Sequence, residues 1–145
     1  RGHIQRGVEA GARLLCGGDR PVDLPKGFFI RPTVFTDVPL DSALWNEEIF
    51  GPVLCVRRFT CEAEAIALAN DSDFGLQAGV FTGDIAHAMR AWDRLEVGGV
   101  IVGDVPSFRV DNMPYGGVKS SGLGREGVRW AITDMTEERL LVIRD

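Results

Sequence analysis

Lysine is scarce in this chain. Of its 16 basic residues only Lys26 and Lys119 are lysines, and no basic cluster offsets a net charge of −5. Phosphate backbones are bound by patches of Lys and Arg, so no nucleic-acid partner is expected. Cysteine is scarce as well: Cys16, Cys55 and Cys61 are odd in number, and none forms a C-x-x-C pair. That argues against a disulfide framework and against a zinc site, so no metal is expected. Reduced thiols of this kind suit a cytoplasmic protein. No apolar run approaches the ~20 residues of a membrane span, and no membrane partner is expected. No signal peptide, internal repeat or low-complexity tract is visible. The first residue is Arg1 rather than Met, and the start reads as a cut rather than a native N-terminus.

What remains is the composition of an ordinary globular domain, 145 residues with 45% hydrophobic and 26% charged. "GHIQRGVEAG" is helical in style, with Ile4, Val8 and Gly11 on one face and Gly11 able to end it. "ARLLC" reads as a short strand, and "DRPVDLPKG" as a loop. "FFIRPTVFTDV" is extended, and Pro32 points to an edge or irregular strand. The apolar run Val53 to Val56 predicts a strand buried on both faces, as in parallel sheets. An Ala-rich helix, "CEAEAIALAND", follows, then a strand in "LQAGVFTGD". Asp84 is placed to cap the next helix, which carries Ile85, Ala88, Met89 and Trp92 on one apolar face. "VGGVIVGD" is another strand. Strand, helix, strand, helix, strand is an α/β pattern with a mostly parallel sheet flanked by helices. A long Gly/Pro loop, a short helix near Arg125 to Ile132 and a final apolar strand, "RLLVIR", complete the chain.

"GGVKSSGLGREG", Gly116 to Gly127, looks at first like a phosphate loop. The G-x-G-x-x-G match at Gly122, Gly124 and Gly127 follows no strand, and the acids after it come too early for a dinucleotide fingerprint. The Walker match fails because Val118 stands directly before Lys119, where its second Gly should be. With its neighbours, however, the stretch reads "DNMPYGGVKSSGLGREG". Together with "NEEIFGPV" (Asn46 to Val53) and "NDSDFGLQAGVFT" (Asn70 to Thr82), it resembles the NAD(P)-dependent aldehyde dehydrogenase superfamily. Three motifs in the family's order cover essentially the whole chain, which is similar to the last third of such an enzyme.

The resemblance implies a part of the aldehyde dehydrogenase catalytic domain over 1–132, followed by an oligomerisation strand segment over 133–145. It implies NAD or NADP as cofactor, with Glu48 accepting from the ribose hydroxyls and Phe50 beside the nicotinamide ring. A carboxylate can accept two hydroxyl protons, which suits the first role. Glu47 reads as a surface acid, and "NDSDFGLQAGVFT" as a turn. The loop "GDVPSFRVDNMPYGG" would close over the aldehyde tunnel, lined by Ser107, Phe108 and Tyr115. Arg109 reads either as the receptor of an anionic substrate tail or as a loop ion-pair residue. The loop glycines allow a tight path, braced by Lys119, Arg125 and Glu126. Leu140, Leu141, Val142 and Ile143 would extend the sheet of another subunit in a homodimer or homotetramer. One departure is Gly103, where the family usually has Asn, which puts the rigidity of the substrate loop in question.

The family oxidises an aldehyde to a carboxylic acid through a thiohemiacetal on a Cys nucleophile, and a Glu activates water. None of the three cysteines has the setting of an activated thiol. His3 and His87 read as surface or helix-face residues. No catalytic residue is therefore assigned within the chain. The nucleophile and general base are expected upstream, and the chain alone is expected to be inactive and to fold poorly. The alternative is an autonomous, non-catalytic assembly module of the same ancestry. An acyl-phosphate reductase is a further rival, which the context of Glu48 and Phe50 disfavours.

Overall fold

A computed structural model describes all residues, 1–145. The chain forms two compact units, Arg1–Thr60 and Cys61–Asp145. No shift of composition marks this boundary in the sequence.

The first unit contains α1 (Gly2–Glu9), β1 (Arg13–Cys16), β2 (Thr33–Thr36), α2 (Ala43–Asn46) and β3 (Val53–Val56). Its core is Ile4, Ala12, Phe35, Val38 and Leu44, with Phe35 0% exposed. The helix α1 buries Ile4 and Gly7, whereas Val8, expected on the same face, is exposed. Gly7 is needed for space, because a Cβ there would collide with the Leu44 side chain.

β2 is the central strand, antiparallel to β1 and parallel to β3. This corrects the edge assignment drawn from Pro32. Pro32 stands one residue before the ladder, so its missing N–H costs nothing there, and Thr33 N donates to Pro52 O at 2.8 Å. The Thr33 hydroxyl is buried but satisfied: it accepts from Gly18 N and donates to Arg31 O, both at 2.8 Å. β3 is also corrected. Val53 and Cys55 pack toward the core, but Leu54 is 60% exposed and Val56 is exposed too. The run alternates because β3 pairs with β2 alone, and nothing in the first unit covers its outer face.

The second unit contains α3 (Glu62–Asn70), β4 (Phe74–Gly75), β5 (Gln77–Val80), α4 (Ile85–Arg94), β6 (Gly99–Val102), β7 (Val118–Lys119) and α5 (Val128–Met135). β5 and β6 are parallel in full register from Gln77↔Gly99 to Val80↔Val102, joined by α4 as crossover. β4 pairs antiparallel with β7. The fold is thus mixed α/β in three small sheets, with parallel and antiparallel pairs. The cap on α4 is as expected: Asp84 Oδ1 accepts from Ala86 N at 2.7 Å. Its buried face is Ala88 and Ala91, while Ile85, Met89 and Trp92 are exposed.

Asn70 closes α3 as the turn reading requires. Its Nδ2 donates to Arg94 O at 2.8 Å, and its Oδ1 accepts from Glu96 N at 2.9 Å. After Met135 there is no regular structure, so the expected strand "RLLVIR" is absent. A strand is defined by its ladder, and this segment has no backbone partner within the chain. Its Leu140–Ile143 run is 66–87% exposed.

Candidate cofactor and substrate sites

In the first unit, "NEEIFGPV" links α2 to β3. Asn46 fastens its start, with Nδ2 donating to Leu40 O at 2.6 Å and Ser42 O at 3.2 Å. Glu47, read from the sequence as a plain surface acid, is the anchor of the segment. Arg6 grips its two oxygens, Nη1 to Oε1 at 3.2 Å and Nη2 to Oε2 at 2.8 Å, and His3 Nε2 lies 3.0 Å from Oε2. The Arg6 bonds, more than the His3 contact, hold the Glu47 carboxyl below its ordinary pKa. No sequence signal pairs residues more than 40 apart in this way.

Glu48, next in the chain, is exposed and takes part in no ion pair or hydrogen bond. Phe50 is 92% exposed and sits at φ +50°. The left-handed region is a genuine outlier for a bulky residue, and such strain costs about 1–3 kcal/mol. The ring gains no packing in return. Gly51 and Pro52 then turn the chain into β3, with Val53 N donating to Gly51 O at 2.8 Å. Leu44, Trp45, Ile49 and Val53 floor a shallow concavity of about 490 Å³ around these two side chains. The arrangement offers an unsatisfied carboxylate and a bare aromatic face to a ligand with hydroxyls and a flat ring.

In the second unit, the segment after β6 carries Ser107, Phe108 and Tyr115. Gln77 on β5 ties it down, its Nε2 donating to Pro106 O at 2.8 Å and Phe108 O at 3.2 Å. Sequence reasoning missed Gln77, whose contacts lie about thirty residues away. They answer the question raised by Gly103: the loop is fastened from β5 instead. Gly103 itself stands at φ +84°, and its N donates to Val80 O at 2.9 Å. Asn and Gly are the residues that best tolerate such a backbone.

Ser107 is exposed, Phe108 partly so, and Tyr115 is half-buried. Tyr115 is fixed through its backbone by a bridge to Glu126. Arg109 lies over the Tyr115 ring, 4.4 Å from its centroid, and its Nη2 donates to Glu126 Oε2 at 3.2 Å. The bracing expected of the glycine stretch is present. Lys119 Nζ donates to Asn70 O at 2.7 Å and Ser72 O at 3.1 Å, and lies 2.8 Å from Glu96 Oε2. Arg125 Nη1 donates to Gly117 O at 2.9 Å and Gly124 O at 2.7 Å. Gly122, Gly124 and Gly127 have positive φ, whereas Gly116 is needed for closeness: its Cβ would stand 2.6 Å from Gly124 O.

The cysteines are placed as the sequence suggests. Cys16 ends β1 and Cys61 is the N-cap of α3, both exposed. Cys55 is half-buried in β3, and burial pushes its thiol up, the wrong direction for a nucleophile. Both histidines face carboxylates: His3 faces Glu47, and His87 Nδ1 lies 2.9 Å from Glu62 Oε2.

These features meet those of known proteins. The model of the "Aldehyde dehydrogenase family" matches residues 1–141. The 3-sulfolactaldehyde dehydrogenase of Priestia aryabhattai is 46% identical over 140 residues, 97% of this chain and 28% of that protein. The crystal structure of aldehyde dehydrogenase 21 from Physcomitrella patens, in complex with the reaction product succinate, superposes with a TM-score of 0.91 at 45% identity. It is matched over 99% of this chain and 29% of its own. The Mycobacterium tuberculosis aldehyde dehydrogenase complexed with NAD+ gives a TM-score of 0.86 at 41% identity, over 94% of this chain and 28% of its own. The chain belongs to the aldehyde dehydrogenase family. It spans somewhat more than a quarter of the length of the relatives it matches.

Proposed function

We propose that this chain is the C-terminal part of an NAD(P)-dependent aldehyde dehydrogenase, which oxidises an aldehyde to a carboxylic acid through a Cys thiohemiacetal. Residues 1–132 are its share of the catalytic domain, and 133–145 an oligomerisation segment. The nucleophilic Cys and the Glu that activates water lie outside the chain, so the 145 residues alone are inactive. The observation that carries this reading is the pair Glu48 and Phe50: a carboxylate with all its acceptor positions free, beside an exposed ring held at φ +50°. Both fit a nicotinamide riboside. Glu48 accepts from the ribose hydroxyls, and the Phe50 face lies against the nicotinamide and keeps water from it. NAD or NADP, when bound, supplies hydride acceptance. Ser107, Phe108 and Tyr115 line the aldehyde tunnel and hold a small carbonyl substrate. The protein is cytoplasmic, and no helix of it is long and apolar enough to cross a membrane.

In the whole protein that contains this chain, Glu48→Gln is expected to weaken NAD(P) binding roughly ten-fold or more, the scale of hydrogen bonds to a charged group. Direct titration of the cofactor measures it. Unchanged affinity in that variant, or a wild-type protein that reduces neither NAD nor NADP with any aldehyde, would sink the proposal. A second reading is favoured by the exposed run Leu140–Ile143, a non-catalytic assembly module. It requires stable oligomers of a protein that binds no dinucleotide at all.

A further inference from the structure

Gln77 and Gly79 stand two residues apart on β5 and so share a face of the strand. The segment after β6 folds back across that face. At Gly79 it comes so close that a Cβ would stand 2.6 Å from Asp104 O and 3.1 Å from Pro106 Cδ. At Gln77 it is held by hydrogen bonds. The Gln77 side chain passes over Gly99, its partner in the β5–β6 ladder, where an added Cβ would stand 3.0 Å from Oε1. Glycine at that position leaves the path open.

The amide divides its two N–H bonds between Pro106 O at 2.8 Å and Phe108 O at 3.2 Å. Both partners are carbonyls, so only the NH2 end of the amide can face them. Oε1 is buried and accepts from nothing in the chain, which leaves the amide to the loop alone. The two carbonyls flank Ser107. From Asp104 to Phe108 the other hydrogen bonds are internal to the loop: Val105 N donates to Asp104 Oδ1 and Phe108 N to Val105 O. The stance of Ser107 and Phe108 against the sheet is therefore set by one side chain. That side chain projects from a strand, which holds it more precisely than a loop would.

From this bracket, and resting on the reading that Ser107 and Phe108 line the aldehyde tunnel, we infer that Gln77 is a positioning residue of the aldehyde site. It acts through Ser107 and Phe108 and touches neither aldehyde nor cofactor. Its two bonds set the fit of the tunnel to the aldehyde, and so KM for the aldehyde. The chemical step and the cofactor site are left unchanged.

The test is steady-state kinetics of the whole protein with propanal, hexanal and benzaldehyde, using the one that the wild type oxidises fastest. Gln77→Met keeps the length of the side chain and removes both donors. It is expected to raise KM for the aldehyde by about five- to fifty-fold, the scale of two hydrogen bonds, with kcat, NAD(P) affinity and Tm near wild type. Gln77→Glu adds a pH profile. Ionised, its carboxylate turns an acceptor toward two carbonyl oxygens; protonated, it donates one bond. Its KM should therefore climb as pH rises, from between those of wild type and Gln77→Met to beyond the latter, a rise that the wild type does not share. A role confined to folding would lower Tm and kcat in both variants and leave their pH profiles parallel to the wild type, which overturns the inference. So does a KM unmoved in Gln77→Met, and that result leaves the dehydrogenase reading standing. Should the wild type oxidise none of the three aldehydes, the dehydrogenase reading fails on its own. Amide hydrogen exchange then decides for Gln77. Faster exchange across 104–108 in Gln77→Met, with the rest of the protein unchanged, upholds the bracket, and equal exchange removes it.

Discussion

Phe50 bears two costs that folding alone does not explain. Its backbone stands in a region that bulky residues avoid, and its ring is left bare. On the proposed reading, a cofactor lying against the ring would account for both. The first consequence can be measured on the whole protein without cofactor. Truncating a core Phe costs about 3–5 kcal/mol. Phe50→Gly relieves the strained φ and removes no packing within this chain, so its denaturation midpoint is expected to equal or exceed that of wild type. NAD(P) affinity should fall in the same variant. A loss of several kcal/mol without cofactor would mean that Phe50 is a packing residue. At this scale the sequence was legible where the signal was short and local, as for the Asp84 cap. It was silent on Glu47 and Gln77, because their partners are brought near only by folding.

Among the elements, the N-terminal end of α3 is joined by charge to α4. Glu62, the first residue of α3, accepts from Arg90 Nε and lies close to His87 and Arg90 Nη2 on α4. The bond from Arg90, then its charge and His87, hold the Glu62 carboxyl below the ordinary value of 4.5. Glu47 is lowered in the same way by Arg6. A carboxyl more acidic folded than unfolded contributes stability above its unfolded pKa, lost as pH falls through the folded value. The protein is therefore expected to lose thermal stability below about pH 4.5, and Glu62→Gln to lose less of it over the same interval. Melting curves at pH 7, 5, 4 and 3 would show this. Equal acid losses in both proteins would mean that the tie carries no linkage. The pairing of β2 is a second matter of elements. Pro32 was a sound warning about any strand containing it, but the ladder begins at Thr33. The hydrogen-bonding boundary, not the apolar run, set the strand.

For the whole molecule, surface is the decisive quantity. Seven apolar residues form the buried core, whereas 28 large hydrophobics are exposed, among them Leu54, Phe81, Trp92 and Leu140–Ile143. Soluble monomers rarely leave so much apolar surface open. The isolated chain is accordingly expected to bind a hydrophobic dye such as ANS strongly, to melt without a sharp transition and to transfer no hydride. Calorimetry and dye titration on the 145 residues check this. A sharp, dye-free transition would favour the autonomous assembly module instead. On the proposed oligomerisation role of residues 133–145, Leu141→Asp in the whole protein is expected to shift sedimentation toward smaller species, since a charge there would disrupt pairing between subunits.

By itself the sequence determined the family, the α/β class, the α4 cap, the turn at Asn70 and the segments that carry the candidate sites. These rest on contiguous residues and on local backbone preference, which a linear reading can follow. Only the tertiary structure decided that β2 is central and β3 exposed on one face. It also decided that Glu47 is an anchor, that Gln77 fastens the loop after β6 and that Arg109 lies over Tyr115 and pairs with Glu126. Each of these depends on which distant residue arrives within hydrogen-bonding range, and that is fixed by packing rather than by neighbours in the chain.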